Sequence, residues 1–118
     1  MSFGKATPIL RIFDEEKARE FYIDFLGFNV VFEHRFEDGL PVYMGIEKDG
    51  CVLHLSGHHG DACPGSAVRI ETDELDAYQK QLLDKRYKNA RPGIQEQPWA
   101  RDMCIADPFG NRLIFTSA

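Results

Sequence analysis

The chain contains little of what marks a secreted, membrane or nucleic-acid-binding protein. Its three cysteines have no Cys-x-x-Cys spacing, so they do not indicate a disulfide framework and fit reduced thiols. No apolar run approaches the ~20 residues needed to span a bilayer. The first residues, MSFGKATPILRIF, lack the apolar region and cleavage site of a signal peptide, so a cytoplasmic location is expected. The net charge of −5 opposes binding to nucleic acid, which requires a basic surface.

The composition is that of one globular domain, which we expect to cover residues 1–118. The chain is 43% hydrophobic and 28% charged, and a chain of this length can bury a core without disulfides. Its acidic balance suits a cationic small molecule better than a phosphate polymer.

The first half of the sequence predicts a βαβββ order of elements. A short apolar run at Ile9–Phe13 predicts a strand, and Asp14 is a suitable N-cap for a following helix. Apolar residues at helical spacing continue to Leu26, and Gly27 is a suitable stop. Three further strand-like runs, FNVVFEHRFE, PVYMGIEK and CVLHLS, are separated by two Asp-Gly pairs, which predict hairpin turns.

The second half repeats this order about 60 residues later. SAVRIE predicts a strand, Thr72 or Asp73 can cap the next helix, and extended segments, the turn DPFGN and the strand RLIFTS complete the set. We place the two βαβββ modules at about residues 5–57 and 65–118. The predicted fold class is α+β, with paired modules whose mixed sheets form a concave cavity.

Two segments resemble members of the vicinal oxygen chelate superfamily, which contains glyoxalases, extradiol dioxygenases, fosfomycin-resistance enzymes and bleomycin-binding proteins. AREFYIDFLGF, residues 18–28, resembles the first helix and its exit. DPFGNRLIF, residues 107–115, resembles the final hairpin. The resemblance covers nearly the whole chain and implies the glyoxalase/bleomycin resistance fold.

A closer resemblance is to the bleomycin-resistance binding proteins. EQPWARDMCIADPFGNRLIF, residues 96–115, resembles their C-terminal half, and ATPILRIFD, residues 6–14, resembles their first strand with its early proline. This resemblance implies a binding protein that sequesters a drug at a homodimer cleft and catalyses no reaction. It also implies that the N-terminal strand crosses to the partner, which would suit Pro8 because proline lacks a donor for a sheet ladder.

The resemblance also allows a test for a metal site. Metal-dependent members of the superfamily take ligands from four strand positions, which fall here on Thr7, His54, Ala67 and Ile114. Only His54 carries a conventional ligand, whereas a catalytic zinc uses three protein ligands. We therefore expect no metal and no other cofactor.

Three of the four histidines lie in the stretch LHLSGHHGD. Alternation along CVLHLS predicts that Leu53 and Leu55 face the helices, and that His54 and Ser56 face the cavity. His58 and His59 are expected in the loop that follows. There are two alternatives to this interpretation. The histidines could hold a structural metal, or His54 could act as an acid or base in the pocket.

The ligand-binding candidates are mostly aromatic. Trp99, the only tryptophan, either fills a core or stacks on a ligand, and the resemblance of its Gln-Pro-Trp segment favours stacking. Phe32 and Phe36 share one strand face and are expected to form the other wall, because aromatic faces bind cationic or planar molecules. Arg101, close after Trp99, borders the same site, where its charge opposes a cation.

Two charged residues are also expected to face the cavity. Glu71 and Arg69 alternate with apolar residues in SAVRIE, and they form either an internal ion pair or polar contacts to a ligand.

The sequence predicts a metal-independent small-molecule binding protein, not an enzyme, that holds a cationic or aromatic ligand at the cleft of a homodimer. The alternative is a glyoxalase-like lyase or isomerase that uses His54 with one metal ion. A third interpretation is a sensor or partner-binding module with a vestigial pocket. No nucleic-acid or membrane partner is expected.

Overall fold

The chain forms two four-stranded mixed sheets. The computed structural model describes residues 2–35 and 37–117. The first sheet has the order β1-β4-β3-β2 and the second the order β5-β8-β7-β6. The strands are β1 (Ile9–Arg11), β2 (Asn29–His34), β3 (Tyr43–Lys48), β4 (Cys51–Ser56), β5 (Ala67–Glu71), β6 (Ile94–Glu96), β7 (Arg101–Ala106) and β8 (Arg112–Ser117). The predicted α+β fold class and its two βαβββ modules are confirmed.

The register of the two parallel ladders shows the internal repeat directly. In the N-terminal module, Ile9 of β1 pairs with His54 of β4. In the C-terminal module, Arg69 of β5 pairs with Ile114 of β8. Arg69 lies 60 positions after Ile9, and Ile114 lies 60 positions after His54. The same step therefore relates the strand pairs as well as the order of elements.

The first helix begins as predicted but changes its form. Helix α1 (Glu15–Arg19) is capped by Asp14, whose side chain accepts a 3.0 Å hydrogen bond from the amide of Lys17. The chain then continues as a π-helix, Glu20–Phe25, which we call the π segment. Gly27 follows in the left-handed region at φ 89°, as a helix stop requires. The wider turn coincides with a dense set of buried side chains, Phe21, Tyr22, Phe25 and Leu26.

Only one of the two Asp-Gly pairs makes a two-residue hairpin turn. Asp49 and Gly50 both have positive φ and join Lys48 to Cys51, which are paired across β3 and β4. The pair at residues 38–39 instead lies within a longer connection, because β2 ends at His34 and β3 begins at Tyr43. The predicted turn is present, since the amide of Leu40 donates to the carbonyl of Glu37 at 3.2 Å, but it does not join the two strands directly.

The modules meet through their helices and share one core. Helix α2 (Leu75–Asp84) contributes Tyr78, whose hydroxyl donates to the carbonyl of Leu26 at 2.7 Å. Lys85, just beyond α2, donates to the carbonyls of Asp24 and Phe25 at the end of the π segment. The core cluster contains buried apolar residues of both modules. Each sheet therefore keeps its other face away from this core.

The DPFGN motif also joins the modules. Asp107, which is buried, accepts hydrogen bonds from the hydroxyl of Tyr22, the amides of Phe109 and Asn111, and the side chain of Asn111. The side-chain amide of Asn111 also donates to the carbonyl of Arg11, 2.9 Å away. The motif thus ties the last hairpin to the π segment and to β1. Among the described residues, no helix is both long and apolar enough to cross a membrane.

Candidate functional site

The exposed face of the first sheet carries a group of three rings around a glycine, which we call the aromatic face: Phe32, Tyr43 and His54 around Gly45. The register places Gly45 opposite both Phe32 of β2 and His54 of β4. Because Gly45 has no side chain, the ring of Phe32 lies over its backbone. The centroid of Phe32 is 6.2 Å from that of Tyr43 and 5.2 Å from that of His54. Phe32 remains 41% exposed, so the face is accessible from outside the chain.

His54 is oriented by Tyr43. The hydroxyl of Tyr43 and Nδ1 of His54 are 2.8 Å apart. Burial, and then the nearby charge of Asp61, raise the pKa of Tyr43, so its hydroxyl stays protonated near neutral pH. When this hydroxyl donates to Nδ1, the proton of the neutral imidazole is on Nε2. The aromatic face then offers one N–H donor beside two apolar rings.

Ser56 was predicted to face a cavity. It is instead buried under the loop that follows β4. Its hydroxyl donates to Asp61 at 2.6 Å and accepts from the amide of His58 at 3.1 Å. His58 and His59 lie in this loop, as predicted. The serine hydroxyl therefore holds the loop in place instead of facing a ligand.

Trp99 stands at the tip of the β6–β7 hairpin. The amide of Gln97 donates to the carbonyl of Ala100 at 2.7 Å, which closes a tight turn around Pro98 and Trp99. The indole is 67% exposed and lines a crevice of about 850 Å³. Trp99 is therefore not a core residue, and its ring is available to a ligand.

Carboxylates dominate the lining of this crevice, which we call the Trp99 crevice. Its acidic residues are Asp49, Glu71, Asp73 and Glu74. Arg69 also lines it but pairs with Asp102 at 3.0 Å and donates to the hydroxyl of Thr116. The ion pair between Arg69 and Glu71, one of the two predicted alternatives, is not formed. Hydrogen bonding to Thr116, and then to the Arg69 guanidinium, holds the pKa of Asp102 below its usual range.

The structure divides the predicted site residues into two sets. Phe32 and His54 belong to the aromatic face of the first sheet, whereas Trp99 and Glu71 line the crevice on the second module. Neither the Trp99 crevice nor the other two main cavities of the described residues is lined by both sets. The reason is that the modules meet through their helices, which leaves the two faces apart. Phe36 lies outside the described residues.

Arg101 is not part of the crevice lining. Its guanidinium contacts both carboxylate oxygens of Asp76 on α2, at 2.8 and 2.9 Å, and a third bond reaches Glu96 on β6. Arg101 thus links a helix to a sheet, and its predicted place beside the ligand stays a prediction. Alternation along the strand turns this side chain toward the helix instead of the Trp99 crevice.

Sequence reasoning missed Tyr43 and Asp49, although a signal for Tyr43 was present. A two-residue turn at residues 49–50 places Gly45 opposite His54, and Tyr43 then lies two residues along the same face. Asp49 lines the Trp99 crevice of the other module, and only the packing of the two modules brings it there.

The four positions that hold a metal in some superfamily members do not fit one here. Thr7 and Ala67 are exposed, and neither Ala67 nor Ile114 has a donor atom. His54 has one ring nitrogen in contact with Tyr43. In the part of the chain that the structure describes, no group of three or more His, Cys, Asp or Glu side chains is arranged to hold a metal ion.

Solved structures similar to this one include several antibiotic-binding proteins. A bleomycin-binding protein from the bleomycin producer Streptomyces verticillus, solved with copper(II)-bleomycin, is 25% identical and has a TM-score of 0.75 over 100% of this chain and 98% of its own. An antibiotic-binding protein from Streptomyces sp. CB03234 is 22% identical, with a TM-score of 0.76 over 99% and 98% of the chains. The bleomycin resistance determinant of transposon Tn5 is 22% identical, with a TM-score of 0.75 over 98% of each chain.

Sequence comparison gives the family. A search of curated proteins returned no match. The family model described as a glyoxalase superfamily protein matches residues 1–118. Since this match spans the whole chain, and since the structure has the fold of the bleomycin-resistance proteins, the chain belongs to the glyoxalase superfamily.

Proposed function

We propose that this protein binds and sequesters a cationic or aromatic small molecule without a metal ion. The observation that carries the proposal is the exposed indole of Trp99 above a crevice lined by four carboxylates. An aromatic face attracts a cation, and nearby carboxylates add to this attraction. The antibiotic-binding relatives of the same fold support a binding role over a catalytic one.

The complete site is proposed to form between two copies of the chain. In one chain the aromatic face and the Trp99 crevice belong to different modules, and Phe32 and Trp99 are 41% and 67% exposed. A homodimer that places the aromatic face of one protomer against the crevice of its partner would hold a planar ligand between Phe32 and Trp99. His54 would then offer a hydrogen bond to the ligand, and Glu71 a negative charge.

The N-terminal segment is proposed to take part in the dimer. Residues 2–8 are not part of a strand, and Phe3 is 94% exposed. Within the described chain β1 pairs with no strand but β4, and on its other edge the Arg11 carbonyl accepts from the side chain of Asn111. An edge with no strand partner is a pairing surface for another chain. Exchange of the N-terminal segment between protomers would cover both features.

The test uses the fluorescence of Trp99, which is the only tryptophan and therefore reports on the crevice alone. Titration with a bleomycin-class compound, and with a panel of planar organic cations, is expected to change the emission and to saturate at one or two molecules per dimer. Phe32→Ala and Glu71→Gln are each expected to weaken binding about two- to tenfold. Leu83→Ala removes an exposed apolar side chain elsewhere and is the control. A flat titration across the panel would contradict the proposal.

A further inference from the structure

A second cavity lies between the two modules, next to the Trp99 crevice. We call it the inner cavity. Its volume is about 180 Å³, and its apolar lining comes from both modules, with Phe28 on one side and Ile70, Tyr78 and Phe115 on the other. An apolar cavity of roughly 150 Å³ holds one benzene molecule. The inner cavity therefore fits one ring, or a branched aliphatic group of similar size.

The inner cavity and the Trp99 crevice share an acidic rim. Four residues line both spaces, namely Asp49, Glu71, Thr72 and Glu74. Among the ion pairs of the described residues, none involves these three carboxylates. A positive group that enters from the crevice thus meets negative charge before it reaches the apolar lining.

Two cations also face these spaces, but neither neutralises the rim. Arg69 is held by Asp102. Lys48 lines the inner cavity, with Nζ 5.7 Å from the centroid of the Tyr78 ring. Three carboxylates therefore stand against one ammonium at the entrance, which favours a positively charged ligand over a neutral or negative one.

We propose that the inner cavity is a subsite for the apolar end of an arylalkylammonium ligand, whose ammonium group lies at the shared acidic rim. This inference rests on the proposed function and narrows its ligand class. The ligand would carry a positive nitrogen joined by a short linker to one ring. The ring fills the inner cavity, and any further planar part of the ligand extends into the Trp99 crevice.

The first test is an NMR titration of the uniformly ¹⁵N-labelled full chain with 2-phenylethylammonium chloride at low ionic strength. It extends to about 10 mM, because a ligand of this size is expected to bind with a millimolar dissociation constant. Saturable shifts are expected at the amides of Glu71, Thr72 and Tyr78. The neutral 2-phenylethanol is expected to bind about threefold or more weakly, and 3-phenylpropionate not to saturate. No saturable shift with the amine, or equal affinity for all three compounds, would overturn the subsite.

The second test fills the inner cavity. Ala77 lines it from an exposed position on α2, and leucine is nearly as good a helix former as alanine, so Ala77→Leu should fold normally. This variant is expected to lower the affinity for the amine about tenfold, since the side chain occupies the space of the ring. Lys80→Leu, on the same helix but outside the cavity lining, is the control. Unchanged amine binding in Ala77→Leu would overturn the proposal.

The third test addresses the rim. Glu71→Gln and Glu74→Gln are each expected to lower the affinity for the amine about threefold, while binding of the alcohol stays the same. Glu16→Gln, on α1 and outside both spaces, is the matched control. Equal losses for the amine and the alcohol would contradict the role of the rim.

These outcomes separate the inference from the proposed function. If planar cations quench Trp99 but Ala77→Leu does not change the affinity for the amine, the proposed function stands and the subsite is removed. Amine binding that depends on Ala77, with no response of Trp99 to any planar ligand, would remove the proposed sequestration and leave an isolated amine site.

Discussion

The ring of Phe32 lies directly over Gly45, so closely that a β-carbon on Gly45 would overlap its Cδ2 and Cε2 atoms. Gly45 is opposite Phe32 in the β2–β3 ladder, and the missing side chain gives the ring a place to lie against the sheet. The position of Phe32 on the aromatic face therefore depends on the residue across from it.

Gly45→Ala is expected to push the Phe32 ring off the sheet without unfolding the protein. Gly45 does not have a positive φ, so alanine fits its backbone, and the half-exposed ring can rotate away. Ligand affinity should fall by about the same factor as in Phe32→Ala, roughly two- to tenfold. The measurements are the Trp99 titration and the ring-proton NMR shifts of Phe32. Gly93→Ala, where a β-carbon meets nothing within 4 Å, is the control.

Tyr22→Phe is expected to destabilise the chain because its hydroxyl donates a 2.6 Å hydrogen bond to the buried carboxylate of Asp107. Burial, and then the charge of Asp107, raise the pKa of Tyr22 well above its ordinary value, so the hydroxyl keeps its proton. Loss of one hydrogen bond to a buried charge costs about 1.5–3 kcal/mol. Urea unfolding measures this. Tyr87→Phe, whose hydroxyl interacts with Asn89 and with the exposed carboxylate of Glu20, should change the free energy of unfolding by less than about 1 kcal/mol. Equal losses in both variants would refute the role of Asp107.

Acid should weaken the fold through Asp102. Its folded-state pKa lies below the ordinary value, so its contribution to stability is full above the unfolded pKa, about 3.9, and is lost as the pH falls through the folded pKa. Unfolding free energies measured between about pH 5 and pH 2.5 should therefore decrease less steeply in Asp102→Asn than in the parent chain. Asp84→Asn, in an exposed pair with Lys80, is the control. Parallel curves for parent and Asp102→Asn would show that Asp102 contributes nothing to acid sensitivity.

The purified protein is expected to hold no stoichiometric divalent ion. Of the four superfamily ligand positions, only His54 offers a conventional donor, and one histidine does not retain zinc through dialysis. Elemental analysis of the dialysed chain measures this. About one zinc, nickel or manganese per chain, lost in His54→Ala, would favour the glyoxalase-like enzyme instead.

Light scattering at micromolar concentration is expected to give twice the 13.5 kDa mass of the chain. Deletion of residues 1–6 tests the exchanged segment, and should shift the equilibrium toward the monomer because it uncovers the edge of β1. A monomer mass for the full chain would remove the dimer cleft from the proposed function.

Much of the fold could be predicted from local patterns in the sequence. The cap at Asp14, the stop at Gly27 and the turn at Asp49-Gly50 depend on residues within one or two turns of each other. Strands CVLHLS and RLIFTS have the predicted bounds, because alternation of side chains is a local property. The exposure of Trp99 agrees with the alternative that the resemblance of its Gln-Pro-Trp segment favoured.

The candidate site was harder to predict from the sequence than the fold, because it depends on contacts between residues that are distant in the sequence. Arg69 could pair with Glu71, its neighbour on the strand, but pairs with Asp102, which the sheet brings alongside it. Arg101 follows Trp99 in sequence, yet it turns toward Asp76 of the helix. In each case the partner is distant in sequence, and only the folded chain brings it within reach of the guanidinium.

The sequence by itself determined the order of elements, the 60-residue repeat and the faces of the strands, since these follow from periodicity and turn chemistry. The tertiary structure decided how the modules meet. Tyr22 and Asp107 lie 85 positions apart and are joined only when both helices and the last hairpin pack into one core. That packing places Phe32 and Trp99 on different sheets, because the helices of both modules are buried between them.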